Sequence, residues 1–241
     1  GKVNQTLITH GLFLPCEPMS SEFSTIGGAL ATDARGLRSA KYGSVGKNVS
    51  TAKVVLSNGD SIQTKRLSKR EVSKRMGQAT FEGEIYRGID ALLSENAEAI
   101  AGFSGPADAM PINIFDVRHK DGSVDLTPLF VGSQGTLGTI TQATLAITAY
   151  NPRLVSMVIG FYKAEEFHAS VEQIKALRPS MFTVVPKSVF QLYASLNPLF
   201  VGKKFGEELP EFVALLEFDE FSARSQRTHQ KKVKKLCSKL D

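Results

Sequence analysis

Two glycine-rich stretches hold the residues whose types and spacing suit chemistry. The first, "STIGGALATDARGLRSAKYG" (Ser24 to Gly43), sets Gly27, Gly28, Gly36 and Gly43 among Ala29, Ala31, Ala34 and Ala40. The second is "GSQGTLG", Gly132 to Gly138. Backbone this bare serves a tight turn, a close crossing, or a ligand lying directly against the main chain. Exposed N–H groups in such turns, or at a helix start, suit phosphate and other acceptor-rich ligands. Ser24, Thr25, Thr32, Ser133 and Thr136 are candidate hydroxyl donors beside them. Neither cluster has the G-x-G-x-x-G spacing of a dinucleotide fingerprint. "GSVGKNVS", from Gly43, fails as a phosphate loop, because Lys41 stands where the first Gly belongs and Asn48 replaces the Ser or Thr.

Other chemistries are thinly provided. His10, His119, His168 and His229 are scattered, with His168 and His229 expected on solvated helix faces. Cys16 and Cys237 are too few for a disulfide framework or a zinc site, which points to a reducing cytoplasm. No metal site is expected. Of the 241 residues, 42% are hydrophobic and 22% charged. That balance is ordinary for a globular protein able to bury a core. The net charge of +5 permits an anionic ligand without requiring one. "KKVKK", Lys231 to Lys235, reads as a solvated helix face, with Val233, Leu236 and Leu240 on the other side. No aromatics interleave with these lysines, and no nucleic-acid-binding motif appears. No apolar run is long enough to span a membrane. The opening "GKVNQTLITHGLFLP" lacks the apolar core of a signal peptide.

The positioning elements are legible in outline. Residues 3–10 read as a helix ending near Gly11, and "LFLPCEP" as an extended segment. Ala52, Val54 and Leu56 alternate, and Asn58-Gly59 precedes a return run from Ser61 to Thr64. That is a β-hairpin with the type I′ turn that Asn-Gly favours. Residues 80–101 read as one helix with Ile85, Ile89 and Leu92 or Leu93 on its apolar stripe. Residues 102–123 read as an irregular loop. "VDLTPLFVGSQGTLGTITQATLAITAY" gives a short apolar segment, the glycine turn and a long strand. Strands at 155–161, 181–185 and 212–218 then alternate with helices at 164–177, 187–195 and 223–240. The pattern is α+β, with a boundary near Asn151-Pro152.

Both glycine stretches match a family pattern. "STIGGALATDARGLRSAKYGSVGKNV…VVLSNGD" resembles the segment "TIGGxxATNAxGxRxxxYGxxxDxVxxxxVVLxdG" of FAD-dependent oxidoreductases of the vanillyl-alcohol oxidase / p-cresol methylhydroxylase type. "LFVGSQGTLGTITQATLAI" resembles that family's "LFxGSEGTLGxITxATLxL". "LPCEPMSSEFS" is similar to the family's flavin-lining "P-x-x-P…S/T" segment. The nearest branch holds D-lactate dehydrogenase, the glycolate oxidase D-subunit and alkyl-dihydroxyacetone-phosphate synthase. The resemblance is strong over residues 13–62 and 124–148 and weaker over 149–241.

The resemblance implies FAD as cofactor, lined by Pro18, Met19, Ser20, Ser21, Glu22, Phe23, Ser24, Thr25, Gly27, Gly28, Thr32, Asp33, Ala34 and Arg35. From the second stretch it adds Gln134, Gly135, Thr136, Leu137, Gly138, Thr139 and Ile140. Asp33 stands where the family has Asn, Arg35 where a small residue is common, and Gln134 where Glu is usual. The implied fold is α+β. A second FAD-binding subdomain, mainly antiparallel sheet with flanking helices, spans 1–149, and a partial ferredoxin-like cap or substrate domain spans 150–241. The family's upstream pyrophosphate-loop subdomain and the rest of its cap have no counterpart here. The expectation is therefore a middle piece of a cytoplasmic dehydrogenase. Such an enzyme oxidises a 2-hydroxy acid or similar small alcohol by hydride transfer to FAD, and the piece is inactive alone. The expected partners are the small-molecule substrate and a homo-oligomer or missing subdomain, without nucleic acid or a membrane span. No catalytic residue is assigned, and Cys16 reads as buried packing, not a flavin tether. The alternative is a non-catalytic subunit with a degenerate flavin fold.

Overall fold

The computed structural model describes residues 1–105, 110, 112–205 and 208–238. The chain begins with α1 (Lys2–Ile8), β1 (Leu12–Phe13), α2 (Ile26–Ala31) and α3 (Ser39–Tyr42). After a 3-10 turn at Gly46–Asn48 come β2 (Val49–Val55), β3 (Ser61–Thr64), α4 (Lys69–Met76), α5 (Phe81–Glu95) and α6 (Ala97–Ala101). Next are α7 (Thr127–Phe130), β4 (Thr139–Leu145), β5 (Thr148–Ala149), β6 (Val155–Phe161) and α8 (Ala164–Ala176). β7 (Met181–Pro186), α9 (Lys187–Leu196), α10 (Pro198–Phe205), β8 (Phe212–Phe218) and α11 (Ala223–Cys237) complete the order. Two compact units emerge. One comprises Gly1–Asn4, Cys16–Gly36 and Gly43–Thr148, and the other Gln5–Pro15, Leu37–Tyr42 and Ala149–Asp241. The architecture is α+β, as expected.

The first unit is built on the antiparallel sheet β3-β2-β4. Alternation along β2 works as read: Ala52 and Val54 are buried, and Lys53 between them is exposed. The connection from β2 to β3 is not type I′, because only Gly59 takes a positive φ, +86°. Instead the Gly59 N–H reaches Leu56 O at 3.0 Å and the Leu56 N–H reaches Asp60 O at 2.8 Å. A type I turn followed by a left-handed Gly gives this bulged loop. The Asn58 side-chain oxygen accepts the Asp60 N–H, holding Asn58 out of the left-handed region that type I′ needs.

Ser68 and Glu71 form a complete capping box at the start of α4, a helix outside the elements expected from the sequence. α5 and α6 divide the expected single helix at Asn96, whose side chain and backbone both donate to Leu92 O. Tyr86 and Leu93 are the buried residues of the α5 stripe, joined by the partly buried Ile85 and Ile89, while Leu92 is exposed. These pack with Val54, Val117, Leu126 and Phe130 in one core. In the expected loop 102–123, residues 106–109 and 111 lie outside the described set. The remainder includes Arg118, which forms a bridge with Val124 just past the loop.

In the second unit β8 lies between β6 and β7 and is antiparallel to both. β6 and β7 therefore run parallel with a strand inserted between them, the split β-α-β arrangement. Phe161, Ile174, Leu216, Phe218 and Val233 form one core, and Phe190, Val201 and Val213 a second. α10 was not anticipated. Val233 is fully buried and Leu236 packs beside it, whereas Leu240 falls outside the described residues.

One glycine marks a close backbone crossing in the first unit. A Cβ on Gly36 would stand 1.8 Å from the carbonyl oxygen of Glu17 and 3.4 Å from the Cα of Pro18. Backbone cannot yield as a side chain can. Gly36→Ala is therefore expected to destabilise the fold by about 2 kcal/mol or more, read as a lower urea midpoint at unchanged slope.

Candidate functional site

All the sequence-predicted residues fall in the first unit, on two segments distant in sequence. Pro18 to Ser24 forms successive turns. Ser21 N–H donates to Pro18 O, and the N–H groups of Phe23 and Ser24 converge on Ser20 O. Thr25 ends the run as the N-cap of α2, its hydroxyl oxygen accepting the Gly28 N–H at 3.0 Å.

The far end of α2 closes in a Schellman motif. Ala34 N–H donates to Ala29 O at 2.9 Å and Asp33 N–H to Leu30 O at 3.3 Å, with Asp33 left-handed at φ 45°. Asp and Asn are the non-glycine residues that tolerate this conformation best. The Asp33 carboxylate turns away from the helix and accepts the Gly46 N–H at 2.6 Å. The carboxylate thereby serves the 3-10 turn.

The second glycine stretch locks onto the same helix end. Gly132 N–H donates to Leu30 O and Gln134 N–H to Ala31 O, both at 2.9 Å. The second satisfies a carbonyl that a helix C-terminus otherwise leaves open, and the first adds a donor to Leu30 O, which already accepts from Asp33. The geometry requires left-handed backbone at Gly132 (φ 88°), Gln134 (φ 52°) and Gly135 (φ 80°). For Gln134 that conformation costs on the order of 1 kcal/mol. Gly138 then turns the chain into β4, where a Cβ would meet Val54 Cγ1 at 2.6 Å and Val55 O at 2.9 Å. Thr139 and Ile140 pair with Val55 and Val54.

The hydroxyls are largely unavailable as donors, contrary to the sequence reading. Ser24 donates to Ser20 O, Thr32 to Gly28 O, Ser133 to Phe130 O and Thr136 to Ser133 O. Thr25 stands apart, since its oxygen acts as an acceptor. The exposed surface is instead bare backbone flanked by apolar groups: Gly27, Gly28 and Gly135 with Met19, Phe23, Ile26 and Leu137. Phe23 is 90% exposed and Met19 75%.

Of the predicted residues, Asp33 lines a small cavity of this unit. The cavity, of about 30 Å³, is lined also by Ser44, Gly46, Lys47, Asn113 and Asp116 among others. That exceeds the roughly 10–15 Å³ a water needs. Beside it, burial pushes the Asp116 carboxyl up, but the Lys47 ion pair and the Asn113 amide outweigh this and hold it below its ordinary value. A second cavity, about 320 Å³, sits on the polar sheet face around Thr51, Lys53, Gln63 and Gln142 and includes none of the predicted residues. Most of the predicted residues are exposed.

Gly27 supplies the test of whether they fit an extended dinucleotide. It has no positive φ, and a Cβ there would meet nothing within 4 Å. A glycine inside a helix costs roughly 1 kcal/mol relative to alanine. No turn or contact among the described residues requires it, so its bare face suits a group from outside. Gly135 likewise meets nothing within 4 Å.

Residues to which sequence reasoning gave no separate role include Gly36, Gly46 and Gly132, each a glycine for a distinct reason of packing or φ. The histidines also divide. His168 is exposed on α8, but His229 stacks on Phe218 at 4.8 Å with its side chain 19% exposed, so it is not on a solvated face. Among the described residues no group of three or more His, Cys, Asp or Glu side chains could hold a metal ion.

Residues 1–65 match the family model described as FAD binding domain. The chain is 27% identical over its whole length to D-2-hydroxyglutarate dehydrogenase of Escherichia coli, covering 24% of that protein. It is 30% identical over 64% of its length to glycolate oxidase subunit GlcD of Bacillus subtilis, covering 22% of that protein. It thus spans about a quarter of the length of these curated relatives. An alkyldihydroxyacetonephosphate synthase structure superposes on 99% of the chain with a TM-score of 0.62, at 18% identity and over 36% of its own length, a likeness of fold. The family match and the relatives support the resemblance to FAD-binding oxidoreductases, and the structural likeness agrees with it in fold.

The two thiols should separate cleanly. Cys16 is buried, and burial pushes its thiol up to about 11, with its backbone hydrogen bond opposing and the Asp33 and Glu17 charges adding to the rise. Since the thiolate is the nucleophile, at about pH 8 alkylation should label the partly exposed Cys237 and spare Cys16 in the native protein. The fold favours the neutral Cys16 thiol. Its contribution to stability is present below about pH 9 and lost as pH rises toward about 11. Peptide mapping after limited alkylation checks this; equal labelling of both cysteines contradicts it.

Proposed function

On the premise that residues 1–65 are an FAD-binding segment, we propose that this chain is the cofactor-lining part of a dehydrogenase that oxidises a small 2-hydroxy acid. When bound, FAD supplies the two-electron acceptor chemistry. The chain's own residues supply the bed. α2 and the 132–138 turn, held together by the Gly132 and Gln134 amides, offer Gly27, Gly28 and Gly135 as bare backbone. Met19, Phe23, Ile26 and Leu137 offer apolar surface for a flat ring system. Residues Pro18–Thr25, Thr32–Arg35 and Gln134–Ile140 make up the proposed lining. The first domain of the reading, 1–149, binds cofactor, and the second, 150–241, is the cap that faces substrate.

The observation that carries the reading is Gly27: a helix glycine with open space at its Cα and no structural requirement for it. The names of the relatives support the substrate class, since D-2-hydroxyglutarate and glycolate are both 2-hydroxy acids. Turnover belongs to the whole protein, of which a chain this length supplies the flavin bed without an assigned base. The exposed apolar residues of that bed call for a covering subdomain or a second copy. The sparing use of cysteine, Cys16 and Cys237 alone, supports a cytoplasmic setting. No helix among the described residues is long and apolar enough to cross a membrane.

The test is a flavin titration of the chain followed by fluorescence quenching. Gly27→Leu should leave the fold as stable or stabilise it by up to about 1 kcal/mol, because leucine is the better helix former. The same change should weaken FAD at least tenfold by occupying the open space. Unchanged flavin affinity in a folded Gly27→Leu protein contradicts the proposed bed. Flavin binding without substrate-dependent dye reduction is expected of the 241-residue chain. Dye reduction by D-2-hydroxyglutarate in this chain alone would show that it contains the base as well.

A further inference from the structure

α11 concentrates charge of one sign. Arg224, Arg227, Lys231, Lys232, Lys234 and Lys235 lie on it with no Asp or Glu, a charge greater than the net +5 of the entire chain. All six are exposed. None enters an ion pair among the described residues. Helical spacing gathers them on one side: Arg224, Arg227, Lys231 and Lys235 follow the i, i+3, i+7, i+11 row. Gln226 and Val233 face the opposite way and are buried. The row runs about 16 Å, at about 1.5 Å per residue.

Such a row is unfavourable for the isolated fold. Like charges at i, i+3 and i+4 each cost about 0.2–0.5 kcal/mol. Arg224 also sits in the first helical turn, where the macrodipole favours acids. No carboxylate on α11 relieves it. We propose that the stripe is a docking surface for an acidic helix of a partner protein. Glutamates spaced at i, i+4 and i+7 recur with the same helical pitch, about 5.4 Å, as the cationic row, so the two can pair along their length. The apolar side of α11 is already committed to its own core through Val233, Leu236 and Cys237, which leaves no face to insert into a lipid interface. The row holds no aromatic ring to stack on bases.

The experiment titrates the 241-residue chain with a fluorescent helical peptide bearing glutamate at those spacings. Salt is set at about 20 mM and about 200 mM. Binding is expected at low salt and should be lost at high salt. Lys231→Glu/Lys235→Glu should weaken it about tenfold or more. Lys69→Glu/Arg70→Glu removes the same charge from α4 and should change it less than about twofold. Circular dichroism confirms that both variants fold. Equal weakening by the two pairs would overturn the proposal by reducing the effect to net charge. Tighter binding to phosphatidylserine vesicles or to a DNA duplex than to the peptide would overturn the choice of partner. Flavin does not enter the readout, so failure here and failure of the flavin reading are separate outcomes.

Discussion

The first unit depends on two backbone hydrogen bonds, from the Gly132 and Gln134 amides to the last carbonyls of α2. A six-residue helix is too short to persist alone, because nucleation outweighs the few bonds it forms. Here the Thr25 cap holds one end, and a loop from far along the chain completes the other. Everything proposed about the flavin bed follows from that junction, since it brings the two glycine-rich segments side by side. The backbone cost is visible at Gln134, a side-chain-bearing residue held left-handed so that its amide points at Ala31.

Asp33 links this junction to the next layer. Its backbone ends α2 and its carboxylate anchors the turn that leads into β2, so one residue couples helix termination to strand entry. The 3-10 turn must itself be lean there: a Cβ on Gly46 would come within 2.9 Å of the Asp33 carboxylate oxygen. The Gly46 N–H bond turns the carboxylate toward the 3-10 turn and stabilises its ionised form.

The second unit solves a different problem. β8 is central and nearly all apolar, with Val213, Ala214, Leu216 and Phe218 each at most 2% exposed, so both faces need covering. α8 and α11 supply one layer, and α9 with α10 the other. Covering one face with α11 fixes which side of that helix turns outward. The cationic row is therefore held rigidly by the burial of Val233 and Gln226. His229 belongs to the same packing, its ring lying on Phe218.

Much of this was legible in the residues. Alternation in β2, the return strand, and the three strands of the second unit follow from side-chain periodicity, which the chain carries locally. The flavin reading came from the order and spacing of two motifs. Other features were not legible. Asn58-Gly59 is compatible with more than one turn, and the Asx bond to Asp60 decides between them. The break at Asn96 depends on which carbonyl its side chain captures. Candidate hydroxyl donors looked alike until their acceptors were known. Above all, every glycine reads the same in a sequence. Gly36 yields to a carbonyl 1.8 Å from its missing Cβ, Gly132 takes a positive φ, and Gly27 faces open space. The sequence by itself determined where bare backbone occurs and which strands and helices surround it. Only the tertiary structure decided what each glycine is for, because that is set by neighbours brought close in space from elsewhere in the chain.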